Sequence, residues 1–264
     1  MRLYGCREVS SLSVVSAPFN LWIMDDPGEP QPRSVRTRQR IFRAAAEEIL
    51  VNGYAGTSLA GIAGNLGLTK GALARHVPVK TALIEEFTRH LVEVLARCDA
   101  RAQAVFPESP SRACVAFLIN VRFSASDDVC SAAGIAMAFD PSVPTASSGG
   151  FVHAWIDALS AYLERIPAED GYELNAPVRG AAEFLTAAFT GMWVTGRFVS
   201  IEGRPRLEQT ELALMGIGIP AAGVSAIIND VLAQARQGAL ELAPAESVVP
   251  QQWWQGANIP REEQ

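Results

Sequence analysis

The stretch TSLAGIAGNLGLTKGALARHV, residues 57–77, constrains the fold more than any other part of the chain. It holds two short helix-forming runs separated by Gly67-Leu68-Thr69. Glycine permits a sharp turn there, and Thr57-Ser58 and Thr69 are N-cap residues for the helices that follow. Leu59, Ile62, Ala63 and Leu66 form the inner face of the first run, and Pro78 ends the second. Upstream, Ile41, Ala44, Ala45, Ile49 and Leu50 recur at three- and four-residue steps until Asn52-Gly53 stops the helix as a left-handed C-cap would. Downstream, Lys80 opens a long amphipathic helix with a stripe of Leu83, Phe87, Leu91, Val94 and Leu95.

The remainder also reads as helix. The candidates are 113–125, 131–139, 149–166, 176–200 and 221–242. Breaks fall at Pro107/Pro110, DPSVPTASSGG, IPAEDGYELNAP, EGRP and GIGIP. No alternating strand pattern with hairpin turn chemistry competes. The expected fold is therefore all-α, a three-helix helix-turn-helix domain followed by a larger helical domain. We divide the chain into a flexible extension at 1–32, the helix-turn-helix domain at 33–80, a helical body at 81–243 and a loose tail at 244–264. Residues 1–32 are alternatively an artefact of an upstream start, with Met24 nearer the working one. The adjacent Trp253-Trp254 in the tail has no assigned role.

Of the 264 residues 49% are hydrophobic and 19% charged, a balance that suits a packed core rather than a disordered chain. No apolar run approaches the roughly 20 residues of a membrane helix, and Pro18 and Asn20 interrupt the one faint leader-like segment. Cys6, Cys98, Cys114 and Cys130 have no metal-ligand spacing, and the last three lie in alanine-rich helical sequence as small hydrophobes. A reducing cytoplasm is the expected location.

The net charge of −6 conceals an asymmetry. Between residues 33 and 80 the cations Arg33, Arg36, Arg38, Arg40, Arg43, Lys70, Arg75 and Lys80 face only Glu47 and Glu48. A basic block on an acidic body concentrates attraction for a polyanion at one end. In a helix-turn-helix, Thr69 and Lys70 occupy the end of the second helix that enters the major groove. Lys70 there reaches base edges or phosphate. Arg75, His76 and Lys80 fall at the far end, toward the sugar-phosphate backbone. Thr57 can offer its hydroxyl and N–H to a phosphate, and Arg36, Arg38 and Arg40 add counterion-releasing charge. The partner this implies is double-stranded DNA.

The segment TRQRIFRAAAEEILVNGYAGTSLAGIAGNLGLTKGALARHVPVKTALIEEF resembles the N-terminal domain of the TetR family of transcriptional regulators. The shared features are the helix ending in NGY, the T-S-L-x-x-I-A start, and G-L-T-K-G-A-L followed by His76, Pro78 and Lys80. The resemblance implies a homodimer on a near-palindromic operator, with the body binding an effector and dimerising through its last two long helices, about 176–200 and 220–240. T-K-G-A-L resembles more particularly the γ-butyrolactone receptors of filamentous actinomycetes. Two positions depart from the pattern. Ala74 stands where the family carries a phosphate-touching tyrosine or another large residue, and Val77 where it carries an aromatic.

By the same resemblance Trp155, which follows a proline-bearing loop, is the first candidate to pack over a ligand, and its alternative is ordinary core. Phe189 and Trp193 share a helical face beside Met192 and are candidates for the same small apolar effector. Thr190 or Thr195 would supply a hydroxyl for a carbonyl or lactone oxygen. Phe123 and Met137 are further lining candidates. The receptors often show threonine where Met192 stands, which separates this chain from their lactone chemistry at that point.

A catalytic reading has little to stand on. His76, His90 and His153 are isolated from any nucleophile or metal-ligand partner in sequence, and Glu47-Glu48 and Glu85-Glu86 read as solvated helix surface. Gly64, Gly67 and Gly71 follow no strand and form no phosphate loop. We expect no enzyme and no cofactor. The sequence supports a ligand-released repressor first. An interaction module or constitutive regulator that has lost effector control is the alternative.

Overall fold

The computed structural model describes residues 33–196, 207–238 and 240. Side chains at 33, 123, 125–127, 145–148 and 194–196 are outside that description. The extension at 1–32, the tail from 244 and Trp253-Trp254 lie outside the described residues. Ten helices and no strand are present among those described: α1 Arg33–Gly56, α2 Leu59–Asn65, α3 Lys70–Ala74, α4 Ala82–Val105, α5 Pro110–Asp127, α6 Val129–Ala138, α7 Thr145–Glu169, α8 Val178–Gly196, α9 Leu207–Gly216 and α10 Ala221–Arg236.

The apolar residues sort into two cores. The first joins Ile41, Phe42, Ala45 and Ile49 of α1 to Ile62, Leu73 and Val77 of the α2–α3 segment and to Leu83 and Phe87 of α4. It also takes in Val129, Cys130, Ala133 and Met137 of α6, so this packing runs past residue 80, where the sequence divides reader from body. The second core fills the space between the later part of α4, α5, α7, α8, α9 and α10, around Phe117, Phe151, Trp155, Leu159, Tyr162 and Leu185. Ile135 places the opposite face of α6 in this second core. α6 lies close against α4: a Cβ on Gly134 would come within 2.9 Å of Leu91 Cγ.

Gly53 has a φ of 68°, the conformation expected where Asn52-Gly53 stops the helix, and the chain then winds on to Gly56. α7 begins at Thr145, inside the stretch read as a break, and carries Pro167 near its end. α9 is absent from the sequence reading. It lies between two Gly/Pro-bearing breaks and has no sustained apolar stripe, since Leu212 on it is exposed while Thr210, Ala213 and Leu214 are buried. α5 starts at Pro110, one of the residues read as a break, because proline is tolerated where the helix has no N–H to lose. Asp170, the C-cap of α7, accepts from Ser111 N–H at 2.6 Å and from the Ser109 hydroxyl at 2.8 Å, satisfying donors at the start of α5.

Two carboxylates flank α6. Asp128 caps its start, accepting from Cys130 N–H at 3.2 Å and Ser131 N–H at 2.9 Å. It also lies 2.7 Å from Nε2 of the buried His90 on α4. Just past its end, Asp140 accepts from Tyr54 N–H at 3.3 Å, at the end of α1, and from Ser142 N–H at 2.8 Å. Burial would raise both carboxyl pKa values. For Asp128 the bonds from His90 and Ser131 outweigh it and hold the group at about 2. Bonds from Ser142 and Tyr54 likewise hold Asp140 below the usual carboxylate range.

A carboxyl depressed in the folded state stabilises above its unfolded pKa of roughly 4 and stops doing so as pH falls through its folded value. The Asp128 side chain is 42% exposed, so solvent screening limits the contribution to about 1 kcal/mol. Asp128→Asn is therefore expected to lower stability by about 1 kcal/mol at pH 7 and to flatten the acid limb between about pH 4 and 2. Urea unfolding at a series of pH values measures both.

Candidate nucleic-acid interface and effector core

α2 and α3 meet the sequence expectation in detail. Ser58 caps α2, its hydroxyl accepting from Gly61 N–H at 3.0 Å, and Thr69 caps α3, accepting from Ala72 N–H at 3.2 Å. Gly67 has a φ of 64°, which closes the turn between them and lets Leu68 N–H return to Ala63 O at 2.9 Å. Leu73 and Val77, four apart, bury one side of the α3 segment in the first core. That leaves Thr69, Lys70, Gly71, Ala74 and Arg75 exposed on its outer side. Val77 is fully buried, so the valine that replaces the expected aromatic is a packing residue. Ala74 is exposed, and the surface at that position is bare of a long side chain.

The cations divide into two groups. Arg36, Arg40, Lys70 and Arg75 are exposed, and His76 is half-buried behind them. Arg38 is not available in the same way: its guanidinium donates to Glu86 Oε2 at 2.7 Å and lies 5.5 Å from the Phe42 ring centroid. Glu86 is buried and also pairs with Arg89, which in turn holds Glu93. Glu85 is exposed as expected, but its neighbour Glu86 is the anion of a clamp between α1 and α4 rather than solvated surface. The Arg89 pairings are readable from i,i+3 and i,i+4 spacing, whereas the pairing with Arg38 spans 48 residues and leaves no local signal.

Two further assignments change with the geometry. Thr57 is buried, its hydroxyl donates to Gly53 O at 2.8 Å, and its N–H reaches the same carbonyl at 3.2 Å. The N–H bond is the ordinary i+4 helical one at the end of α1, and the hydroxyl adds a second donor to the same carbonyl. Both donors the sequence offers to a phosphate are thus used within the chain. Lys80 Nζ donates to Ala55 O at 3.1 Å and stands 4.4 Å over the Tyr54 ring, which fixes the turn after α1. An ammonium has three donors, so Lys80 keeps others for the surface.

The effector candidates are distributed unevenly. Trp155, Phe189 and Met192 are buried in the second core, with Trp193 half-buried against it. The Trp155 ring packs 5.5 Å from that of Phe151. Met137 is buried in the first core, beside α1, and so stands apart from the others. Phe123 and Thr195 have side chains outside the described residues. Among the described residues, five polar atoms buried on α5, α7 and α8 have no hydrogen-bond partner: Oγ of Ser111, both amide atoms of Asn120, Nε1 of Trp155 and Oγ1 of Thr190. Asn120 was not singled out from sequence, because a single asparagine in an apolar helix carries no pattern. Burial pushes the Cys114 thiol up to about 12 and the Cys130 thiol higher still, so neither is a reactive nucleophile. No cluster of metal-binding side chains occurs among the described residues. No helix among them is long and apolar enough to cross a membrane.

Among the described residues the chain is all helix, with a capped, outward-facing second helix in a helix-turn-helix and a separate helical core, the architecture of a DNA-binding regulator. Residues 41–87 match the profile of bacterial regulatory proteins of the tetR family, so the chain carries an N-terminal domain of that type. Solved structures agree in fold. A γ-butyrolactone receptor described as ArpA-like superposes with a TM-score of 0.60 at 19% identity, covering 79% of this chain and 100% of the other. CprB from S. coelicolor A3(2) gives 0.58 at 24% identity, covering 76% and 97%. TylP, a TetR regulator from Streptomyces fradiae, gives 0.55 at 22% identity, covering 80% and 100%. No relative among curated proteins matches the sequence significantly. Regulators of this family bind DNA and are not enzymes.

Lys70→Ala is expected to weaken operator binding and to lower the slope of log affinity against log salt by about 1. Thr57→Val is expected to leave that slope unchanged while costing about 1 kcal/mol of stability through the lost bond to Gly53 O. Fluorescence anisotropy across a salt series and thermal melting separate the two.

Proposed function

We propose that the protein is a cytoplasmic, homodimeric repressor released from a near-palindromic operator by a small, mainly apolar effector of γ-butyrolactone-like kind, and that it controls secondary metabolism. The observation that carries this reading is the pairing of an exposed, basic α3 surface with an aromatic body core that encloses unsatisfied polar atoms. The likeness to structures described as γ-butyrolactone receptors supports the effector class. Trp155, Phe189, Met192, Trp193 and Thr190 are the residues we assign to that effector.

One row on α8 supports dimerisation through that helix. Gly180, Phe184, Ala187 and Gly191 recur at four- and three-residue steps and are all exposed, with Phe184 at 47%. A row of small residues around one large apolar ring suits the close approach of a second helix, as in a four-helix bundle between subunits. Ala181, by contrast, is buried within the chain. In a dimer the two α3 helices would address half-sites about 34–36 Å apart. α6 would carry the signal, since it contributes to both cores and is bonded at its two ends to α4 and α1. The effector would act by favouring the conformer in which the half-site spacing is lost.

A gel shift on the protein's own promoter region tests the reading. Salt-sensitive binding that is abolished by an alkyl γ-butyrolactone or by culture extract is the expected result, and binding that no such addition releases would sink the repressor-release part. Phe184→Glu is expected to convert the dimer to monomer in light scattering and to weaken operator binding at least about tenfold, because the paired half-sites are lost. The alternative, a constitutive regulator or interaction module on the same fold, draws on exposed Ala74 and on Met192. Unchanged regulation in cells carrying Lys70→Ala and Arg36→Ala would favour it.

A further inference from the structure

Lysine is scarce in this chain. Of its 22 lysines and arginines only Lys70 and Lys80 are lysine, and both fall at the helix-turn-helix. The difference is chemical. A guanidinium stays protonated and is no nucleophile, whereas an ammonium can lose a proton and then take an acyl group. An acyl donor therefore meets two side-chain amines in the whole protein, and the structure separates them.

Lys80 is held. It is half-buried, its Nζ donates to Ala55 O at 3.1 Å, and it stands 4.4 Å over the Tyr54 ring. The amine must give up both contacts before it can attack an acyl carbon. Lys70 is open. It is exposed on the outer side of α3, and no hydrogen bond or ion pair ties it to another described residue. Its surroundings leave room: Thr69, Gly71 and Ala74 are exposed as well, and a Cβ on Gly71 would meet nothing within 4 Å. Ala74, four residues on, lies on the same face and carries no side chain long enough to cover Nζ. The thiols of Cys98, Cys114 and Cys130, which could compete for a donor, are buried.

We propose that Lys70 is an acylation site, through which an activated acyl donor, an acyl phosphate or an acyl thioester, weakens DNA binding. This rests on the reading of α3 as the DNA-facing helix. In the transfer the ammonium first loses a proton to water, and the amine then attacks the acyl carbon. The N–C bond forms, and the bond from that carbon to the phosphate oxygen or to sulfur breaks. The leaving group departs with the electron pair and takes up the second proton, so nothing is oxidised or reduced. The product is a neutral amide with one N–H donor in place of three. Arg75 is then the remaining exposed cation of the α3 segment, and it cannot be acylated in turn.

The full-length protein serves for the test, treated with acetyl phosphate in one arm and acetyl-coenzyme A in another. Mass spectrometry then maps the modified residues. Lys70 is expected to react at least about ten times faster than Lys80, and the arm that does this identifies the donor. In anisotropy titrations on the protein's own promoter region, affinity is expected to fall as the acetylated fraction at Lys70 rises. The slope of log affinity against log salt is expected to drop by about 1 at full modification. Lys80→Arg is expected to lose affinity on treatment as fully as the wild type. Lys70→Arg, whatever its own starting affinity, is expected to show no change on treatment. Equal or faster reaction at Lys80, or no reaction at Lys70 with either donor, overturns the proposal. Unaltered affinity and slope after complete acetylation of Lys70 also overturn it, and leave the DNA-facing reading standing. Failure of the untreated protein to bind the promoter removes that reading together with the proposal.

Discussion

The packing of α6 is the constraint on which the rest of the molecule depends. Val129, Cys130, Ala133 and Met137 belong to the core beneath the DNA-facing helices, and Ile135 belongs to the core of the body. A ten-residue helix cannot move relative to one core without disturbing the other. Its ends are held by directional bonds as well. Asp128 ties its start to His90 on α4, and Asp140 ties the chain beyond its end to the backbone of Tyr54. Gly134 allows α4 to approach so closely that Leu91 fills the space a side chain would take. These contacts make the reader and the body one mechanical unit, although the sequence shows them as two blocks.

The basic block takes a second meaning from the fold. Its charges look interchangeable along the chain, yet they do different work. Lys70 and Arg75 lie on the open side of α3, while Arg38 is spent on Glu86 and Lys80 stands over Tyr54. Cations that brace the reader hold its helices at a fixed angle, and cations on its face are left open to solvent. The small exposed surface around Gly71 and Ala74 leaves the α3 backbone open to close approach.

Much of the candidate site was legible because it is local. Caps, turns and an amphipathic face each depend on residues within about four positions, so Thr69, Gly67 and the Leu73–Val77 pair could be read directly. What escaped was either long-range or patternless. Thr57 was assigned to phosphate because a threonine at a helix start usually has a hydroxyl to offer, and only the turn at Gly53 shows that it is spent. Met137 reads as a lining candidate for the effector, and its side of α6 places it in the other core. α9 lacks periodicity and is a helix through its packing against α8 and α10.

By itself the sequence determined the all-helical class, the helix-turn-helix and the place of its reading helix. Each of those follows from backbone preferences and short-range periodicity, which the order of residues encodes directly. The tertiary structure alone decided which cations are exposed, which carboxylates anchor α6, and that Asn120 and Trp155 are buried with polar atoms unmade. Those depend on helices distant in sequence meeting at a given rotation and register. A side chain's burial and partners exist only once that meeting has taken place.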